Sequence, residues 1–148
     1  MRALVEHVTG EYLWVPEILA GKTIAEVGDR FERDVLGNDP LDSVVRAQQV
    51  AVRAVEQTGD LSGRVHLSFG DVPASDYITQ MIIDSTIHSW DLARGIGADE
   101  TLDPELVELS FKELQGSADQ WRSAGAFGPE KQAHDESPQA QLLALTGR

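Results

Sequence analysis

Between Ser75 and Gly95 apolar side chains recur so densely that almost no helical face is left polar, and the polar exceptions carry the interest. Tyr77, Met81, Asp84, His88 and Leu92 follow one another at steps of three and four, which puts them on one stripe of a helix. Ile78, Ile82, Ile83, Ile87 and Trp90 fill most of the remaining circumference, as expected of a helix packed on most sides. Asp84 and His88 are therefore predicted side by side on an inward stripe. A carboxylate in such surroundings is costly unless it is paired, hydrogen-bonded or bound to a metal. The i to i+4 spacing is the one by which a helix offers an ion two ligands within a turn.

The flanking pattern predicts further helices. Met1 to Ala20 reads as a helix with Leu4, His7, Glu11, Trp14 and Ile18 inward, weakened where Pro16 lacks an amide proton and ending near Gly21. One helical turn from Ile24 to Val27 is expected in the connection that follows, with Phe31 against the core. Asp39 and Pro40 form a start signal, a side-chain acceptor followed by a residue whose fixed φ suits the first turn. The helix they open should face inward through Leu41, Val44, Val45, Gln48, Val52 and Val55, show Asp42, Arg46, Gln49, Arg53 and Glu56 to water, and stop at Gly59.

Between Asp60 and Pro73 the period shortens to two. Val65, Leu67 and Phe69 alternate with His66, Ser68 and Gly70, predicting a short strand with His66 on its solvent side. Gly95 and Gly97 close the central helix; without a third glycine and a preceding strand they make no dinucleotide fingerprint. Asp103 and Pro104 start a helix expected to reach Gly125, and Ser137 and Pro138 start a terminal one docked by Leu142, Leu143 and Leu145. The expected fold is all-α: one domain over residues 1–148, a helical bundle with a short extended insertion.

Composition narrows the chemistry. The 148 residues include no cysteine, which removes disulfides, thiolate metal sites and a cysteine nucleophile, so any thiol must come from a small molecule. The formal charge of −13 is spread along the chain and repels phosphate backbones, arguing against nucleic-acid partners. Neither a leader pattern nor a window of about 20 apolar residues is present, so the expectation is a cytoplasmic protein with no membrane partner.

Asp84 and His88 stand out by surroundings rather than by spacing. With 25 acidic residues and 4 histidines in the chain, chance supplies about 0.7 such pair. Glu130 and His134 are a second one, but they follow Pro129 in a polar segment and read as a solvated loop pair. G-x-S-x-G, H-E-x-x-H, a Walker loop and the Glu-x-x-His pairs of di-iron bundles are all absent. What remains is a mononuclear site of His7, Asp84 and His88 with positions open to water or substrate, suited to zinc or to nickel, iron or manganese. Glu11, one turn from His7, is placed either to orient that imidazole or to act as a general base. Asp91 could accept from His88 or pair with Arg94. A histidine hydrogen-bonded in the core without metal is the competing reading for each imidazole.

Several segments carry a resemblance. Leu4-Val-Glu-His7, Glu11-Tyr-Leu-Trp14, Gly21 through Thr23-Ile-Ala-Glu-Val-Gly-Asp-Arg-Phe31, Val65-His-Leu-Ser-Phe-Gly-Asp71, Asp84-Ser-Thr-Ile-His88-Ser-Trp-Asp-Leu-Ala93 and the closing Ser137-Pro-Gln with Leu142-Leu-Ala-Leu-Thr-Gly-Arg148 resemble actinobacterial metal-binding proteins related to the N-terminal domain of mycothiol-dependent maleylpyruvate isomerase, within the DinB-like superfamily. The resemblance implies a DinB-like bundle binding a divalent metal, usually zinc, through His7, Asp84 and His88. It further implies thiol-dependent isomerisation or transfer on a small-molecule substrate. Proteins of this kind normally begin with a further helix ahead of the one containing His7. This chain starts almost at that helix, so either the start is truncated or a partner covers the surface the further helix would occupy, and an uncovered apolar groove predicts a homodimer or larger assembly.

Overall fold

The computed structural model describes residues 1–32 and 34–148. It is mainly helical, with one small sheet: α1 Arg2–Leu19, α2 Ile24–Val27, α3 Pro40–Thr58, β1 Arg64–Leu67, β2 Gly70–Pro73, α4 Ala74–Ile96, α5 Pro104–Leu114, α6 Ala118–Ser123 and α7 Pro138–Leu145. Two compact units divide the chain, Met1–Met81 and Ile82–Arg148, with the boundary inside α4.

The start signals act as their chemistry predicts. Asp39 accepts from the amide of Asp42, Asp103 from those of Glu105 and Leu106, and Ser137 from that of Ala140, each just ahead of a proline. Gly59 ends α3 at φ 65°, a conformation that a side chain would strain. Thr23 and Glu26 form a reciprocal capping box that gives the four-residue α2 its start.

In the first unit the core gathers Val15 and Ile18 of α1, Ala51 of α3, Val65 of β1, and Ala74, Tyr77 and Met81 of α4. Here α3 departs from expectation. Its buried residues are Ala47 and Ala51, while Leu41 is 73 % exposed and Val45 and Val52 are also open to solvent. Small residues let a helix approach its neighbour closely, and α3 packs along α1. The extended insertion is a hairpin rather than one strand. Val65 pairs with Val72 and His66 with Asp71, and the strand ends at Leu67, leaving Phe69 exposed in the turn.

In the second unit Ile83 and Ile87 of α4 pack with Val107 and Leu114 of α5 and Leu142 of α7. The helix opened by Asp103 does not run to Gly125: α5 ends at Leu114, and α6 restarts at Ala118 after a turn through Gly116. The all-round apolarity of α4 now has a cause. Its first part buries Ala74, Tyr77 and Met81, its later part Ile83, Thr86, Ile87 and Trp90, and at 100° per residue these sets lie on different faces. One helix with two buried faces looks apolar throughout.

Candidate metal centre

Asp84 and His88 continue the line of Tyr77 and Met81 along α4, one and two turns further on. They are not deeply buried. The Asp84 and His88 side chains are half-buried, Leu92 is exposed, and the fully buried positions around them are Ile83, Thr86, Ile87 and Trp90. The inward stripe expected from the sequence is thus buried only as far as Met81; beyond it the buried positions of α4 are on the other face, with Ile83 and Ile87. His7 is corrected more strongly: its imidazole is 45 % exposed, not inward-facing.

The three predicted ligands are nevertheless brought together. One ligand atom from each of His7, Asp84 and His88 lies within 4.8 Å of the others. Asp84 Oδ1 and His88 Nε2 are 3.3 Å apart. Two ligands bonded to one tetrahedral zinc at about 2.0–2.1 Å are separated by roughly 3.3–3.4 Å, so this pair already has the edge length of such a site. Two ligands of one ion at those bond lengths lie at most about 4.2 Å apart, which is comparable with the spacing of this group. A carboxylate and two imidazoles also match divalent first-row ions in donor type. The residues present therefore fit a mononuclear ion.

The support behind His88 is a chain of charge-assisted bonds. Its Nδ1 donates to Asp91 Oδ2 at 2.9 Å, leaving Nε2 for the side facing Asp84. Arg148 grips the same carboxylate with two nitrogens, Nη2 to Oδ2 at 2.7 Å and Nε to Oδ1 at 3.1 Å, while its Nη1 donates to the carbonyl of Thr146 at 3.0 Å. Hydrogen bonds with Asp84 and then Asp91 raise the His88 pKa to about 9 against the opposing effect of burial. Burial pushes Asp91 up, but the bonds from His88 and Arg148 prevail and hold it down at about 2. At neutral pH His88 is therefore an imidazolium between two carboxylates.

Asp91 accepts from His88 and Arg148; Arg94 instead pairs with Glu100 at 3.0 Å and lies over the Trp90 ring at 5.1 Å. Arg148 is the participant that sequence reasoning missed, since it lies 57 positions beyond Asp91 and has no local pattern. Its placement depends on Gly147. That residue has φ 80°, and a Cβ there would sit 2.8–2.9 Å from the backbone of Gly128. Gly147→Ala is expected to lower stability by roughly 2 kcal/mol or more, from strained φ and overpacking together, measurable by urea unfolding. A loss below about 0.5 kcal/mol would show that the backbone here yields freely.

Glu11 is half-exposed, its Oε1 3.8 Å from His7 Nδ1, an ion-pair distance rather than a short hydrogen bond. His66 bonds Asp71 across the hairpin at 2.7 Å. Glu130 and His134 lie in the loop before α7, where His134 contacts Asp135 at 3.0 Å and Glu130 faces Arg122 at 3.6 Å, so the chance pair is a surface feature. Among the described residues no helix is long and apolar enough to cross a membrane. Compared with known proteins, the chain matches no family model, no curated protein and no solved structure.

Proposed function

We propose that this chain is a divalent-metal-binding protein of the DinB-like class, with His7, Asp84 and His88 as ligands, acting in the cytoplasm as a thiol-dependent transferase or isomerase. The observation that carries the metal reading is the convergence of three ligand atoms from α1 and α4 within 4.8 Å. A bound ion of this kind favours the deprotonated form of a coordinated thiol. The protein's own residues prepare the site: Asp91, anchored by Arg148, fixes the ring of His88, and Glu11 is placed to orient His7 or to take a proton from a substrate. Because the chain lacks cysteine, the thiol is external, of the mycothiol type that the sequence resemblance suggests.

Elemental analysis of protein purified without a metal-affinity tag tests this. About one equivalent of zinc, nickel, iron or manganese per chain is expected. A second reading is favoured by the closed run Asp84–His88–Asp91–Arg148, which pairs its charges without an ion: a non-catalytic helical binding module. Metal-free protein whose stability is indifferent to chelator supports that reading instead.

Homo-oligomerisation is part of the proposal, and the exposed line of Leu41, Val45 and Val52 on α3 supports it, since a helix facing water seldom spends three positions of one stripe on branched apolar side chains. Sedimentation at micromolar concentration is expected to show a dimer or larger species. A clean monomer removes this part and leaves the metal centre untouched.

A further inference from the structure

The turn after α7 is tied to α4 through the side chain of Arg148. Its Nε and Nη2 take both oxygens of Asp91, at 3.1 and 2.7 Å, and Asp91 Oδ2 also accepts from His88 Nδ1 at 2.9 Å. None of these three side chains is more than 23 % exposed. Arg148 is held from behind as well. Its amide donates to the carbonyl of Leu143 at 2.8 Å and its Nη1 to that of Thr146 at 3.0 Å, while the buried Thr146 hydroxyl bonds the carbonyls of Leu142 and Leu143. The adjoining Gly147 lies against the backbone of Gly128.

Stability alone does not account for these groups. A partly buried ion pair seldom outperforms apolar side chains of the same size, because desolvation offsets most of its attraction. What a forked guanidinium supplies is direction. His88 and Asp91 are three positions apart on one helix, and a carboxylate bonded only to that imidazole would still turn about its own side-chain torsions. Two further bonds from another element stop that rotation. The imidazole that Asp91 orients then keeps Nε2 on the side of Asp84.

We propose that Arg148 is a positioning residue of the metal centre and that, acting through Asp91 and His88, it couples docking of the turn after α7 to binding of a divalent cation. The inference rests on the reading of His7, Asp84 and His88 as ligands. An ion on Nε2 fixes the ring, the ring fixes Asp91, and Asp91 offers Arg148 a preorganised pair of oxygens. The converse holds equally, since a coupling free energy between two sites is reciprocal. Metal loading therefore orders the turn, and release of the turn weakens the site.

Zinc affinity is measured by competition with a chromophoric chelator at neutral pH on the parent, Arg148→Ala, Arg148→Lys and Arg94→Ala. Arg148→Ala is expected to weaken zinc at least about tenfold and Arg148→Lys about threefold, since an ammonium bonds the carboxylate without the fork. Millimolar methylguanidinium should restore most of the loss in Arg148→Ala. Arg94→Ala removes the same charge from a side chain paired with Glu100 and should bind as the parent does. In metal-free protein the His88 Hδ1 signal should be sharp by NMR in the parent and broadened by exchange with water in Arg148→Ala. The Gly147 amide, which bonds the carbonyl of Ala144, should exchange at least about tenfold more slowly with zinc in the parent and hardly respond in Arg148→Ala.

A folded Arg148→Ala with parental affinity, an Hδ1 signal as sharp as the parent's, or a parental Gly147 amide indifferent to zinc overturns the proposal. So does a loss that neither lysine nor methylguanidinium relieves, which leaves Arg148 a purely structural role. Should Arg148→Ala not fold, Arg148→Lys decides, and parental affinity there refutes positioning. A parent that takes up no zinc removes the metal reading and this coupling together. The failures of affinity and exchange occur in a parent that does take up zinc, so the two are told apart.

Discussion

Protein carrying His88→Ala is expected to keep its helical content and to lose its divalent metal, with bound metal falling from about one equivalent to below a tenth and affinity falling at least 100-fold. The reason is geometric: His88 Nε2 and Asp84 Oδ1 are the pair already at ligand spacing, 3.3 Å, and His7 approaches from an exposed position. Removing the better-buried imidazole leaves one carboxylate and one exposed histidine, too few donors to outcompete water. His7→Ala should cost less, because an exposed side chain contributes less preorganisation. Elemental analysis and competition with a chromophoric chelator measure both. If His88→Ala retains a full equivalent of metal, the three residues are not its ligands, and Glu11 with other surface carboxylates must be examined in their place. Circular dichroism separates this from unfolding, since the core of the second unit is built on Ile83, Ile87, Val107, Leu114 and Leu142 rather than on His88.

How far the chain could be read in advance follows from what kind of signal each feature leaves. Helix starts were legible because Asp39-Pro40, Asp103-Pro104 and Ser137-Pro138 act locally: the side chain that caps sits within three residues of the amide it serves. The face of α3 was misread because hydrophobicity ranks Leu41, Val45 and Val52 above Ala47 and Ala51, whereas the buried positions of a closely approached helix go to small residues. The break at Gly116 escaped notice because Val107, Ser110, Leu114 and Ala118 keep helical spacing across it, so period alone sees one helix. Ligand spacing on α4 was visible, yet the depth of Asp84 and His88 was overestimated, since a helix that buries different faces along its length presents no polar side from which to judge depth. Arg148 left no trace, because a bond across 57 residues depends on the path of α7 and on the turn at Gly147.

Stability is expected to depend on pH differently with and without metal. In chelator, His88 has a folded pKa raised to about 9 above its ordinary 6.5, so its stabilising contribution is fully present below pH ~6.5 and disappears as pH rises toward 9. A shift of that size corresponds to at most about 3 kcal/mol, with the partial exposure of Asp84 reducing it. Asp91, lowered to about 2, contributes above pH ~4 and loses its contribution as pH falls toward 2; it shares a bond with His88, so the two effects are not added. Metal-free protein should thus be most stable between about pH 4 and 6.5. Saturating zinc cancels the upper limb and leaves the stability level between about pH 6.5 and 9. An imidazole must give up its proton to ligate, so affinity rises about tenfold, and the stability increment at saturating zinc by about 1.4 kcal/mol, per pH unit below 9. Urea unfolding at pH 6, 7 and 8, in chelator and in excess zinc, should give two curves that diverge with pH. Superimposed curves would mean that zinc does not compete with the proton for His88. The imidazolium between Asp84 and Asp91 would then be the finished structure of this helix and not the precursor of a metal centre.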